Sequence, residues 1–122
     1  MFGCELDSRF HEAIVQTDRW GVSVLTSTAG PVATWFAKSG RPLADQFAEV
    51  PHTRTESGVL FVDDASAWLD CTTVSCVTAG DHDVIIGQVE DIPRVNHNAH
   101  PLVYFGKKFI DLRPGDTRVG DA

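Results

Sequence analysis

The residues best suited to chemistry fall into a few short groups along the 122-residue chain. Gly80-Asp81-His82 sets an imidazole just ahead of the apolar run Val84-Ile85-Ile86. Gly-Asp suits a tight hairpin turn, so His82 becomes the first residue of a returning strand at the rim of a sheet. Strand hydrogen bonds there hold the backbone still while the ring can meet a ligand, and an imidazole changes charge near neutral pH. On the local residues alone, a hydrogen-bonded turn histidine is the plainer reading. A second group, Asp7-Ser8-Arg9, puts two good N-cap side chains and a cation at the start of a helical stretch.

Other reactive groupings are weaker. Cys71 and Cys76 lie five residues apart in an extended stretch, which on an unbroken strand puts them on opposite faces and prevents joint chelation. His97-Asn98-Ala99-His100 reads as a solvated loop with nothing to complete a tetrahedral set, so no metal site is expected. His11-Glu12 lacks the second histidine of a zincin helix. Ser8, Ser23, Ser57 and Ser75 lack a nucleophile elbow, and Asp63-Asp64 reads as a solvated turn. No Gly-x-Gly-x-x-Gly opens a helix and no Walker lysine loop occurs, so any dinucleotide or flavin must be held without a Rossmann or P-loop motif.

The elements that must position these groups are short. Phe10, Ala13, Ile14 and Thr17 share a helical face, with Arg9, Glu12 and Gln16 outward. Trp20 to Thr26 alternates as a strand, and Ser27-Thr28-Ala29-Gly30-Pro31 breaks the chain before a helix that turns Val32, Trp35 and Phe36 inward. A helical turn is expected over 42–50 and a polar loop over 51–58. Strands are expected over 59–62, 65–78, 84–89 and 101–105, the third followed by an Asn- and His-rich loop. About five strands and two or three short helices make an α+β chain, mainly antiparallel β. One domain over 1–110 and a flexible C-terminal tail over 111–122 are expected.

Bulk properties narrow the partners. A net charge of −7 and no basic cluster beyond Lys107-Lys108 argue against a nucleic-acid binder. No apolar run approaches the roughly 20 residues of a membrane span. Three cysteines without a secretion signal fit a soluble, cytoplasmic protein.

Taken in order, Trp68-Leu69-Asp70-Cys71, Ala79-Gly80-Asp81-His82 and Gly87-Gln88-Val89 resemble the flavin reductase-like family. Asp7-Ser8-Arg9 leading to Trp20-Gly21-Val22-Ser23-Val24-Leu25, then Asp45-Gln46-Phe47-Ala48 and Pro101-Leu102-Val103-Tyr104-Phe105, extend the resemblance to roughly residues 4–109. It implies an FMN-binding split β-barrel, active as a homodimer, with FMN or FAD as cofactor and NADH or NADPH as hydride donor. Its activity would be flavin reduction, possible supply of reduced flavin to a separate monooxygenase being part of the family pattern. A non-catalytic flavin-binding module or an incomplete split-barrel fragment is the alternative. The family's opening pair of strands, with a Ser/Thr-rich flavin loop, has no counterpart, so the resemblance implies an N-terminally truncated barrel. Asp7, Ser8 and Arg9 then fall at the flavin's ribityl-phosphate end, where a hydroxyl and helix N–H groups suit an anion. Arg9 either adds charge there or stays solvated. Gly80, Asp81 and His82 fall beside the flavin, with His82 as the candidate catalytic residue. Phe10 stands where the family often has threonine.

Overall fold

The computed structural model describes residues 1–113 and 115. Its frame is one long hairpin, β5 (Ala65–Ala79) and β6 (His82–Val95), closed by the two-residue turn Gly80-Asp81. Gly80 takes φ +64°, a left-handed conformation open to glycine without penalty. The edge strands β1 (Phe2–Glu5) and β2 (Arg19–Leu25) flank this hairpin, giving an antiparallel sheet in the order β1-β6-β5-β2. Register shifts at Trp68/Asp70, Asp70/Cys71 and Thr73/Ser75 break the β5–β6 ladder, and such bulges increase bend and twist. The result is a curled half-barrel rather than a flat sheet.

Helix α1 (Arg9–Val15) packs on one face of the sheet through Ile14, which forms a core cluster with Cys4 and Ile85, bordered by Phe2 and Trp20. The other face is covered at its inner end by the ribbon of β3 (His52–Arg54) and β4 (Leu60–Val62). There Phe61, fully buried, stacks on Trp68 with ring centroids 5.1 Å apart. Helix α2 (Gly30–Ala37) follows the breaker with Pro31 in its first turn. The hairpin of β7 (Leu102–Phe105) and β8 (Lys108–Asp111) is the last of the described elements and is joined to the body through the Thr26–Pro101 bridge.

Several expectations change. Eight strands among the described residues replace about five. The segment expected as a loop over 51–58 holds β3 and the turn at Gly58, because His52-Thr53-Arg54 is polar and exposed and shows no apolar alternation to betray a strand. β6 runs past Val89 to Val95. Its second half is mostly exposed and carries Pro93, tolerated because β1 pairs only with residues 82–85 and leaves that edge open among the described residues. Residues 43–50 form successive turns and not a helix, with Ala48 and Val50 N–H donating to Asp45 and Phe47 carbonyls. The inward face of α1 is His11 and Ile14; Phe10 is 55% exposed, resting against Phe2, and Thr17 lies beyond the helix end. Of the expected tail, Asp111 closes β8, while residues 114 and 116–122 lie outside the described residues.

Candidate functional site

Both predicted groups meet at the tip of the β5–β6 hairpin. β1 pairs Glu5 with His82, and the chain leaving β1 donates the Leu6 N–H to the Asp81 carbonyl at 3.1 Å. Two residues later Ser8 caps α1, its Oγ accepting the His11 N–H at 3.0 Å and donating to the Glu5 carbonyl at 2.8 Å. The Ser8 hydroxyl thus has its own local partners, and Asp7 is exposed beside it. The Arg9 guanidinium donates to the Arg41 carbonyl at 3.2 Å and has no carboxylate partner among the described residues.

Strand alternation decides which side chains share a face. Cys4, paired with Asp83, points toward α1. His82, one residue earlier, points the other way with Gly3 and Glu5, so the backbones of the two groups are adjacent while His82 and α1 occupy opposite faces. On the His82 side, Ala79, Val77, Val84 and Ile86 line up across the hairpin, and Val77 and Ile86 remain exposed. This is an apolar shelf with an imidazole at its end. The His82 Nδ1 lies 2.8 Å from an Asp81 carboxylate oxygen, and Nε2 has no partner among the described residues. The bond from His82 holds the Asp81 carboxyl below its ordinary range.

The α1 side holds a pair that the sequence did not reveal. His11 Nε2 donates to Asp83 Oδ2 at 2.6 Å, and Thr78 Oγ1 donates to Asp83 Oδ1 at 2.7 Å. These bonds, that of His11 first, lower the Asp83 pKa. Ser8, His11 and Asp83 superficially suggest a hydrolytic triad, but Ser8 is bonded to the main chain of His11 while the His11 ring is bonded to Asp83. Among the described residues the Ser8 hydroxyl meets the Glu5 carbonyl and the Cys4 thiol, and no imidazole or carboxylate. The only sequence signal for this pair was the place of His11 three residues after an N-cap, which fixes its N–H and says nothing of its ring.

At the inner end of the sheet Asp70 is buried, accepting from Arg19 Nε at 2.8 Å and Ser57 Oγ at 2.5 Å. The Arg19 bond lowers its pKa against the opposing effect of burial. Asp63 and Asp64 are half-buried acceptors rather than a solvated turn: Asp63 takes the Thr53 hydroxyl at 2.6 Å, and Asp64 takes those of Thr26 and Thr28. The bulge at Thr73/Ser75 alters the expected faces of Cys71 and Cys76, which stand opposite Val89 and Ile85 on one side. Four residues of β6 still separate them, about 13 Å at strand rise. Cys71 is buried, which raises its thiol pKa. Among the described residues no cluster of three His, Cys, Asp or Glu is arranged to hold a metal ion. No helix among them is long and apolar enough to cross a membrane. A broad cleft of about 1000 Å³ between α2 and β7–β8, lined by Trp35, Tyr104, Phe109, Lys38 and Lys107, includes neither Ser8 nor His82.

A bulged, curled antiparallel sheet with a rim histidine and a capped helix against its first strand defines a split-barrel protein. The chain belongs to the flavin reductase-like domain family, whose model matches residues 1–113. It is 31% identical over 111 residues to the flavin-dependent monooxygenase reductase subunit HsaB of Mycobacterium tuberculosis, covering 90% of this chain and 58% of that protein. It is 32% identical over 115 residues to the NADH:riboflavin 5'-phosphate oxidoreductase of Streptomyces pristinaespiralis, covering 93% and 64%. Among solved structures, the NADH:FAD oxidoreductase SgcE6 of Streptomyces globisporus C-1027 is similar with a TM-score of 0.85 and 25% identity, covering 93% of this chain and 68% of that one. The chain spans less than two thirds of the length of either of these curated relatives.

Proposed function

We propose that this chain binds flavin at the outer end of the β5–β6 hairpin and transfers hydride to it from NADH or NADPH. The observation that carries this reading is the His82 imidazole, pinned by Asp81 through Nδ1 and standing at the end of the exposed Val77–Ile86 shelf. A flat apolar ring can lie on such a shelf with its polar edge toward Nε2, so the residues present fit the ring end of FMN or FAD. For the phosphate end the chain offers Arg9, free of carboxylate partners among the described residues, beside the helix N–H groups after Ser8. The bound flavin supplies the hydride-accepting chemistry, while the protein sets position and electrostatics. Asp81 fixes the His82 ring, and His82 orients whatever meets its Nε2. Asp7, Ser8 and Gly80 serve by shaping the backbone around it.

The names of the relatives support two further parts of the proposal: a flavin-dependent monooxygenase as the consumer of reduced flavin, and NADH as donor. A homodimer is proposed because Val74, Tyr104 and Phe105 are each more than half exposed, apolar area that a second copy would cover. A cytoplasmic setting is proposed on the three free cysteines.

The test is NADH oxidation with added FMN, followed beside direct flavin titration. Oxidation above the free-flavin background is expected, and His82→Ala should lower kcat/KM about tenfold or more through lost orientation. Flavin binding without oxidation would point to a non-catalytic carrier, and no binding at all would overturn the proposal.

A further inference from the structure

The His11–Asp83 pair is closed off from the His82 shelf by the thickness of the sheet, yet Asp83 is the next residue of β6 after His82. The hairpin tip has little to hold it. Its turn residues are exposed, and beyond Ala79–His82 the ladder ends. What steadies it is the neighbouring strand β1, through the Glu5–His82 pairing and the Leu6 N–H on the Asp81 carbonyl. β1 is itself a four-residue edge strand, and α1, at seven residues, is too short to persist without tertiary contacts. Besides the packing of Ile14, the polar tie between α1 and the hairpin among the described residues is the His11 ring on Asp83.

Asp83 is well placed for that task. Its carboxylate takes His11 from α1 and Thr78 from β5 while its backbone belongs to β6, so one buried group fastens three elements. His11 in turn binds Ser8 through its N–H and Asp83 through its ring, joining the helix cap to the residue next to His82.

We propose that His11 and Asp83 are positioning residues for His82, holding α1 and β1 against the hairpin tip so that the imidazole is kept at the end of its shelf. The inference rests on the flavin-reductase reading of that hairpin for its consequence in turnover, but its structural half is measurable without any flavin.

The first readout is amide hydrogen exchange at Leu6 by NMR in the flavin-free protein. His11→Leu removes a hydrogen bond to a charged group, and Leu6 exchange should quicken about tenfold while amides of Trp68 and Cys71 at the inner end change less than about twofold. His11→Gln keeps a side-chain N–H donor and should restore protection to within about threefold. The second readout is the split between constants: His11→Leu should raise the KM for NADH about tenfold with a smaller change in kcat, as expected for lost ground-state positioning. If His11→Leu does not fold, Asp83→Asn, of nearly unchanged volume, takes its place in both measurements. Leu6 exchange like that of wild type in the variant, or His11→Gln behaving as His11→Leu does, would overturn the inference. A wild-type protein that binds no flavin would remove the reading of the preceding section, and Leu6 exchange would then decide this one alone.

Discussion

Gly87 belongs to the Gly87-Gln88-Val89 block that marks the family, and the structure gives that glycine a steric reason. A Cβ built on it would lie 2.5 Å from Trp20 Cζ2, 2.7 Å from Cη2 and 3.3 Å from the Thr72 carbonyl oxygen. The indole cannot withdraw freely. Its Nε1 donates to Thr73 Oγ1 at 2.9 Å, and its ring meets Phe2 edge-on with centroids 5.1 Å apart. Overpacking of this kind costs about 1–3 kcal/mol. Moving the indole aside instead gives up a hydrogen bond worth about 1 kcal/mol and an aromatic pair worth about 0.5–1.5 kcal/mol. Both routes put Gly87→Ala at about 1.5–2.5 kcal/mol of destabilisation, or a Tm lowered by about 6–12 °C for a domain of this size. Paired thermal and urea melts of Gly87→Ala, Trp20→Leu and the double variant measure it. Trp20→Leu removes the clashing ring, so the alanine should then cost about 0.5 kcal/mol or less, a coupling of at least about 1 kcal/mol between the two sites. A Tm within about 2 °C of wild type for Gly87→Ala, or the same alanine cost with and without Trp20, would refute the reasoning.

Other substitutions test the remaining contacts. Asp70→Ala leaves Arg19 and Ser57 without their shared acceptor, and because the Arg19 side chain is 44% exposed the loss should be about 1–3 kcal/mol, below that of a fully buried pair, read from urea melts. Gly80→Ala forces a φ of +64° on a residue with a Cβ and should cost about 1 kcal/mol, whereas Gly80→Asn should cost less, both read from thermal melts. Asp70, Asp81, Asp83 and Asp111 all have lowered pKa values, so each favours the folded state above the ordinary aspartate value near about 4, and that contribution is lost as pH falls through the lower folded values. Unfolding free energy measured from pH 7 downward should hold to about pH 5 and fall steeply below about pH 4. A flat profile there would contradict these ion pairs.

The parts of the fold legible in the sequence are those in which local chemistry and tertiary placement agree. Gly80-Asp81 admits few structures besides a two-residue turn, and Ser8 and Pro31 start their helices where caps and first-turn prolines belong. What could not be read is what depends on a partner. β3 is polar and exposed, and in the second half of β6 the apolar Val89, Ile92 and Val95 recur every third residue, so neither shows the alternation by which strands are recognised; the ladder contacts make them strands. Asp63 and Asp64 looked solvated because their hydroxyl donors come from residues ten or more positions away. The Cys71–Cys76 relation turned on a bulge, and a single extra residue reverses the facing of all that follows it.

The same parity governs the candidate site. The family resemblance puts Ser8 at the phosphate end and His82 at the ring end of one flavin, yet strand alternation puts His82 on the face away from α1, and the Glu5–His82 pairing and the Leu6–Asp81 backbone bond bring the two together. A ligand touching both must therefore wrap the edge of the sheet at the hairpin tip, with its flat end on the Val77–Ile86 shelf and its charged end toward Arg9. That geometry makes the two ends separable by mutation. Arg9→Gln should weaken FMN more than riboflavin, which lacks the phosphate, whereas Val77→Asp should weaken both alike by putting charge on the shelf. Titration of each variant with the two flavins, followed by fluorescence quenching, measures this. Equal losses of FMN and riboflavin on Arg9→Gln would place the phosphate elsewhere and leave α1 with a structural part alone.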